Sequence, residues 1–316
     1  MSSSLLNGIH ILDGGTATEL TRIGFMKFYG DPLWSSKLLH TNPEGIVQAH
    51  KNFLLAGAEA IFTVTYQAWV EGFQNHLGLT KDEAVMVMEN GVRLARRACQ
   101  EVSKETGEAE GLVAGSVGPY GASLHDGSEY TGIYIEKITS QELVDWHRPR
   151  VKALVDGGAD FLAIETIPVY QEAEAIVRLL QEFPAAEASV SFSCKDGSHT
   201  CHGELFSDAV RSVCQSDQVI AVGLNCTSPQ YVTPLLKSIE HLKIKKPILV
   251  KPNSGELWNA MDKRFYGQNH FQDLSDCIGD WIDQGARWIG GCCRVYPDDI
   301  KRIKDKIIQK VKTLNE

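Results

Sequence analysis

The sequence predicts an α/β fold: a single (β/α)8 TIM-type barrel over residues 1–316, with its active site at the C-terminal ends of the strands. Three observations lead there. Short apolar or β-branched runs alternate with longer helical patterns from one end of the chain to the other, as in a parallel sheet covered by helices. Eight such runs can be counted, the number that closes a barrel. Polar or metal-binding side chains stand at the ends of most of them, where barrel enzymes keep their chemistry. A doubly wound open sheet would alternate in a similar way, so the count and the strand ends favour the barrel. No composition break, Pro-rich linker or repeat marks a second domain.

The first strand is read in "GIHILDGG" (8–15), with Asp13 at its end, and the second in "AEAIFTVTYQ" (58–67), which runs to Tyr66. "GLVAGSVGPYG" (111–121) delivers Pro119 and Tyr120, "ADFLAIET" (159–166) Glu165, and "ASVSFSC" (188–194) Cys194. "VIAVGLNCT" (219–227) ends on Cys226, "PILVKPNSG" (247–255) on Asn253, and "RWIGGCC" (287–293) on Cys292 and Cys293. Between them, 43–57, 82–102 and 140–158 show helical spacing with cap or glycine boundaries, and "YPDDIKRIKDKIIQKVKTL" (296–314) is the last helix.

Composition removes several functions. Of 316 residues 43% are hydrophobic and the net charge is −9, without the basic block that a nucleic-acid binder needs. The short "KIKK" at 243–246 reads as a solvated turn. No segment approaches a membrane-spanning apolar length. The N-terminus shows neither a charged leader nor an apolar core, so a cytoplasmic protein is expected. The eight cysteines are scattered through the chain; in a reducing compartment such thiols stay free or bind metal.

Cys226 and the pair Cys292–Cys293 finish strands six and eight, and alternate strands fill the same layer of a barrel, so the three sulfurs are expected to face one another across the mouth. Gly290 and Gly291, which allow unusual dihedrals and close approach, would let the chain turn both sulfurs of the pair inward. Three thiolates with one open position suit Zn²⁺ held for chemistry. Buried unremarkable thiols and a redox disulfide between the adjacent cysteines, which would close a strained ring, are the competing readings. Cys99, Cys201, Cys214 and Cys277 fall in helices or loops and read as structural. Zinc bound by three thiolates is a weak activator of water. It can take a substrate thiol as fourth ligand and leave the sulfur reactive, which points to alkyl transfer onto sulfur.

The motifs "LDGGTATEL" (12–20), "TYQA" (65–68), "GSVGPYGA" (115–122), "DGSEYTGIY" (126–134), "HRPR" (147–150), "ETIP" (165–168), "GLNC" (223–226), "PNSGE" (252–256) and "IGGCCR" (289–294) occur in this order. Together they closely resemble the homocysteine S-methyltransferases, and the resemblance covers nearly the whole chain. "SEYTG" and "PNSGE" look more like the branch that uses S-methylmethionine. The resemblance implies a (β/α)8 barrel with a zinc ion on Cys226, Cys292 and Cys293. It further implies that Asp13 and Glu165 hold the homocysteine amino group, and that the amides of Gly14 and Gly15 meet its carboxylate. Tyr66 would sit beside the zinc. Trp34 in "PLWSS", with Tyr66 and Tyr130, is the candidate aromatic site for a sulfonium donor. Asn225, Asn253 and Ser254 would orient ligands or donor, and the "DGSEYTG" loop would act as a lid. Lys251 departs from the aromatic or apolar residue expected before "PNSGE". His147 and His202 are expected to serve packing or surface roles.

The expected reaction is methyl transfer from S-methylmethionine to L-homocysteine, giving methionine. S-adenosylmethionine or betaine as donor, selenocysteine as acceptor, and a non-catalytic zinc or thiol sensor are the alternatives.

Overall fold

The computed structural model describes residues 8–25, 30–259, 264–267 and 275–315. Its strands are β1 (His10–Ile11), β2 (Ala60–Phe62), β3 (Leu112–Val117), β4 (Phe161–Ile167), β5 (Ala188–Phe192), β6 (Val219–Asn225) and β7 (Ile248–Lys251), then β8 (Leu257–Asn259), β9 (Arg264–Tyr266) and β10 (Ala286–Ile289). Eight of them pair in parallel in the order β1-β10-β7-β6-β5-β4-β3-β2. A parallel bridge between Leu12 and Ala60 joins the two ends of that order, and the Asp13 amide donates to the Ala60 carbonyl at 3.1 Å. The sheet is therefore a nearly closed α/β barrel, and each of the eight runs read in the sequence overlaps one of its strands. The antiparallel pair β8–β9 lies outside the repeat and is not anticipated by it.

Helices cover the outside, and their starts follow from sequence. Asn42 accepts the Gly45 amide ahead of the helix Pro43–Leu55. Thr80 and Thr139 form capping boxes with Glu83 and Glu142 at the starts of Lys81–Thr106 and Ser140–Asp156. Among the described residues no helix is long and apolar enough to cross a membrane.

Inside the barrel a compact cluster that includes Leu12, Phe62, Ala114, Phe161, Ala163, Ala221, Leu249 and Trp288 stands apart from the larger apolar shell between strands and helices. Side chains alternate along a strand, so the next inward position lies two residues on and nearer the C-terminal end. Ala114 leads to Ser116, Ala163 to Glu165, Leu249 to Lys251, and Ala221 through Gly223 to Asn225. All four are buried. The layer above the apolar plug is thus polar on β3, β4, β6 and β7, and it forms the floor of the site.

Candidate active site

Two acids and one cation occupy that floor. Glu165 accepts a hydrogen bond from Ser116 Oγ at 2.5 Å and from Asn225 Nδ2 at 3.4 Å. Burial pushes its carboxyl up to about 7, even with Lys251 nearby. Asp13 is fully buried; its Oδ1 accepts from Lys251 Nζ and its Oδ2 from the Phe62 amide, each at 2.7 Å. Burial raises it too, while the lysine and the amide draw it back. Lys251 is 2% exposed, and its Nζ sits 3.4 Å from the centre of the Phe62 ring. Burial alone would lower its pKa, but the Asp13 and Glu165 carboxylates outweigh that and hold the ammonium above its ordinary value.

The sulfurs stand beside this charge cluster. Cys226 Sγ lies 3.0 Å from Cys292 Sγ and 3.6 Å from Cys293 Sγ, and all three fall within 4.8 Å of one another. A tetrahedral metal with metal–sulfur bonds of about 2.3 Å separates its sulfurs by about 3.8 Å, so the trio needs only a small adjustment to hold one. Hydrogen bonds from the thiols of Cys292 and Cys293 hold Cys226 well below the usual thiol value, and the same bond pushes Cys292 up to about 12. One sulfur can ionise at the expense of its neighbours; three thiolates together require a cation. The donor set therefore fits a metal ion.

Backbone geometry brings the three together. Cys226 takes φ 49°, a left-handed conformation that turns the chain directly after the inward-facing Asn225, so both residues serve the mouth. Thr166 does the same after Glu165, with φ 60°. Such conformations are uncommon outside glycine and cluster at functional sites. Of the two properties expected of Gly290 and Gly291, unusual dihedrals and close approach, the second is the one at work. Neither has positive φ; a Cβ at 290 would lie 2.6 Å from the Asp13 carbonyl, and one at 291 would lie 2.2 Å from Val295. They are required because the chain passes so close to β1 and to its own next turn.

A cavity of about 250 Å³ opens above the sulfurs. Trp34, Tyr66 and Tyr130 line it, as do Gly14, Gly15, Glu165, Lys251 and the three cysteines, while Asp13, Asn225 and Asn253 do not. Tyr130 Oη approaches Cys226 Sγ to 3.6 Å, which brings the "DGSEYTG" loop over the sulfurs. Glu129 from the same loop also lines the cavity. Its Oε2 is buried with no hydrogen-bond partner among the described residues, and burial pushes its carboxyl up to about 7. Burial keeps Tyr66 neutral by raising its phenol well above the ordinary value.

The remaining expected residues have other surroundings. Gly15 donates its amide to the Val295 carbonyl at 2.9 Å. Asn225 works from behind the floor: Oδ1 accepts from the Thr166 amide and Ser191 Oγ, and Nδ2 reaches Thr166 Oγ1 and lies 4.0 Å from Cys292 Sγ. Asn253 donates its amide to Thr227 O, and its buried Oδ1 has no partner among the described residues. Ser254 Oγ bonds to Glu256. Cys194 is buried in the outer shell, and burial pushes Cys99 up to about 12. His202 pairs with Glu204 near the surface.

"HRPR" builds a brace. Arg150, buried, donates to the carbonyls of Tyr66, Ala68 and Gly118. His147 Nε2 lies 2.9 Å from Glu172, whose carboxylate also takes the Tyr120 amide and the Tyr134 hydroxyl. The ends of β2 and β3 and the covering loop are tied in this way to two neighbouring helices, Ser140–Asp156 and Tyr170–Leu179. Lys251, Ser116 and Glu129 are the site residues that the strand-end reading did not single out. Counting two residues on from the inward apolar positions finds the first two; the third stands inside the "SEYTG" motif, where the lid reading passed over its charge.

Comparisons with known proteins agree with this geometry. Residues 10–307 match the family profile described as homocysteine S-methyltransferase. The chain is 41% identical to the homocysteine S-methyltransferase of Escherichia coli K12 over 298 residues, covering 94% of each. It is 40% identical to a Drosophila melanogaster protein named betaine-homocysteine S-methyltransferase over 305 residues, covering 92% of each. Its structure superposes on the metallated form of the Escherichia coli homocysteine methyltransferase MmuM with a TM-score of 0.85 at 39% identity, over 96% of this chain and 99% of that one. With its profile matched almost from end to end, and its cysteines gathered at the barrel mouth, the chain belongs to the homocysteine S-methyltransferase family and is a methyltransferase.

Proposed function

We propose that the protein transfers a methyl group from S-methylmethionine to the thiol of L-homocysteine, giving methionine, with a zinc ion held by Cys226, Cys292 and Cys293. The observation that carries this reading is the convergence of three sulfurs beside a buried carboxylate, beneath a cavity walled by aromatic rings. Bound zinc would supply Lewis acidity, lowering the pKa of the acceptor thiol so that it is a thiolate at neutral pH.

The side chains do the rest. Glu165 takes the acceptor ammonium, an interaction that restores the charge burial otherwise suppresses. Ser116 and Asn225 hold that carboxylate in place. Gly14 faces the cavity at the head-group end and offers its amide to the acceptor carboxylate, whereas Asp13 anchors Lys251. Trp34, Tyr66 and Tyr130 present ring faces that attract a sulfonium without attacking it, and the Glu129 carboxylate, which lines the same cavity, supplies a counter-charge. The loop above excludes water from the thiolate. The acceptor sulfur forms the new S–CH₃ bond with its own electron pair as the donor's C–S bond breaks, so the donor leaves as a neutral thioether.

The same wall suits a quaternary ammonium, and one relative is named for betaine, so betaine is the second donor to consider. The test presents purified, metal-loaded protein with S-methylmethionine, S-adenosylmethionine and betaine, each against L-homocysteine and selenocysteine, and measures methylated product. Highest kcat/KM for the S-methylmethionine and homocysteine pair is expected. A clear preference for another pair overturns the assignment of substrates, and absence of transfer with every pair overturns the reaction.

A further inference from the structure

We propose that Lys251 is a specificity residue that reads the α-carboxylate of the acceptor. The inference rests on the acceptor assigned above being an amino acid with a thiol. Three features of the head-group pocket lead to it. Asp13, one of two acids available for the acceptor ammonium, does not line the cavity; Lys251 lies in front of it and occupies its Oδ1 at 2.7 Å. The lysine itself does line the cavity, and its ammonium carries three N–H donors, of which one is used by Asp13 and one face rests on Phe62. Glu165 faces the same space and is hydrogen-bonded by Ser116 and Asn225 alone among the described side chains.

The pocket therefore offers one carboxylate and one ammonium side by side, complementary to a zwitterion. The acceptor's ammonium meets Glu165 and its carboxylate meets Lys251. The Asn225 amide spans the distance to the sulfurs: Nδ2 contacts Glu165 Oε2 at 3.4 Å and Cys292 Sγ at 4.0 Å, which suits a head group and thiol joined by a short chain. Without the lysine, two acids would face one ammonium, and a simple aminothiol would satisfy them as well as an amino acid does. Its aliphatic stem fills the buried end of β7, while its charge changes what the pocket selects.

The test is equilibrium binding by calorimetry, which needs no methyl transfer. L-Methionine, which carries the complete head group, is compared with 3-(methylthio)propylamine, the same molecule without its carboxylate. Wild type should prefer methionine, and Lys251→Gln should lower that preference by about tenfold or more, the worth of one charge-assisted hydrogen bond. Lys251→Arg should keep it. If the glutamine variant does not fold, Lys251→Met serves in its place, and wild type alone can overturn the idea by binding both ligands equally. Wild type that binds neither ligand sinks the amino-acid reading itself. Binding of methionine with an unchanged preference in the neutral variant sinks only the role of Lys251.

Discussion

The plug inside the barrel and the mouth above it are built from the same strands, often from residues two apart, yet they obey opposite rules. Leu249 and Lys251, Ala163 and Glu165, Ala114 and Ser116 are neighbours on one face. The lower member packs against Phe161 and Trp288, whose ring centroids are 5.3 Å apart; the upper member needs a partner of opposite charge or a hydrogen bond. Burial is almost equal in the two layers, so solvent does not separate them. Partners do: among the described residues the charges of Asp13, Glu165 and Lys251 each meet another charge or a polar hydrogen, whereas the plug is hydrocarbon apart from the indole N–H of Trp288. A buried site is made by changing residue chemistry at one pleat, without any change in backbone plan.

The contrast can be broken most severely at the sulfurs. Cys226→Ala should abolish methyl transfer to the detection limit and lose the metal, measured by elemental analysis of the purified protein, while circular dichroism stays that of the wild type. Activity retained without metal would sink the mechanism. In the plug, Trp288→Ala should lower stability by about 3–5 kcal/mol in chemical denaturation, with the acceptor KM of the folded fraction unchanged. The two variants exchange phenotypes if the layers are not distinct.

His50 sharpens the comparison from the shell outside. It is a fully buried imidazole with no partner for either ring nitrogen among the described residues, and burial pulls its pKa from 6.5 to about 4. Below pH 6.5 the unfolded chain takes up a proton that the folded chain refuses. Its contribution is therefore full above pH 6.5 and is lost as pH falls toward 4, by about 3 kcal/mol. His50→Leu should flatten the fall in melting temperature over that window; an unaltered pH profile would refute the assignment. The smallest effect is expected at Glu165. Glu165→Gln removes one half of a buried charge pair, costing about 2 kcal/mol or more, so the acceptor KM should rise by about thirtyfold while the donor KM changes little.

Much of this was legible in the sequence, for physical reasons. Strand ends and the facing of alternate strands are consequences of a closed barrel, so Cys226, Cys292 and Cys293 could be brought together before any coordinates, and Glu165 could be placed at the mouth. Contacts between side chains were not legible in the same way. Asp13 and Lys251 are 238 positions apart, and nothing in either local sequence says that the lysine stands in front of the acid. Gly15 looked available until its amide was found committed to Val295. The glycines before the cysteine pair were legible as necessary, but close approach and dihedral freedom leave the same residue in the sequence, and only the structure shows that close approach is the cause at work. The hairpin β8–β9 escaped because the strand count depends on a rhythm that it does not share.

The barrel closes at its shortest junction. β1 has two residues and meets β2 through the Leu12–Ala60 bridge and two amides, those of Asp13 and Glu59. Asp13 is thus both the clasp of the ring and the anchor of the head-group lysine. When a ring opens at its weakest link, whatever hangs on that link moves with it. A ligand that binds only the closed form holds the clasp shut in proportion to its occupancy. Amide exchange at Asp13 and Glu59 should then slow as the pocket fills, making the seam of the barrel a gauge of substrate load.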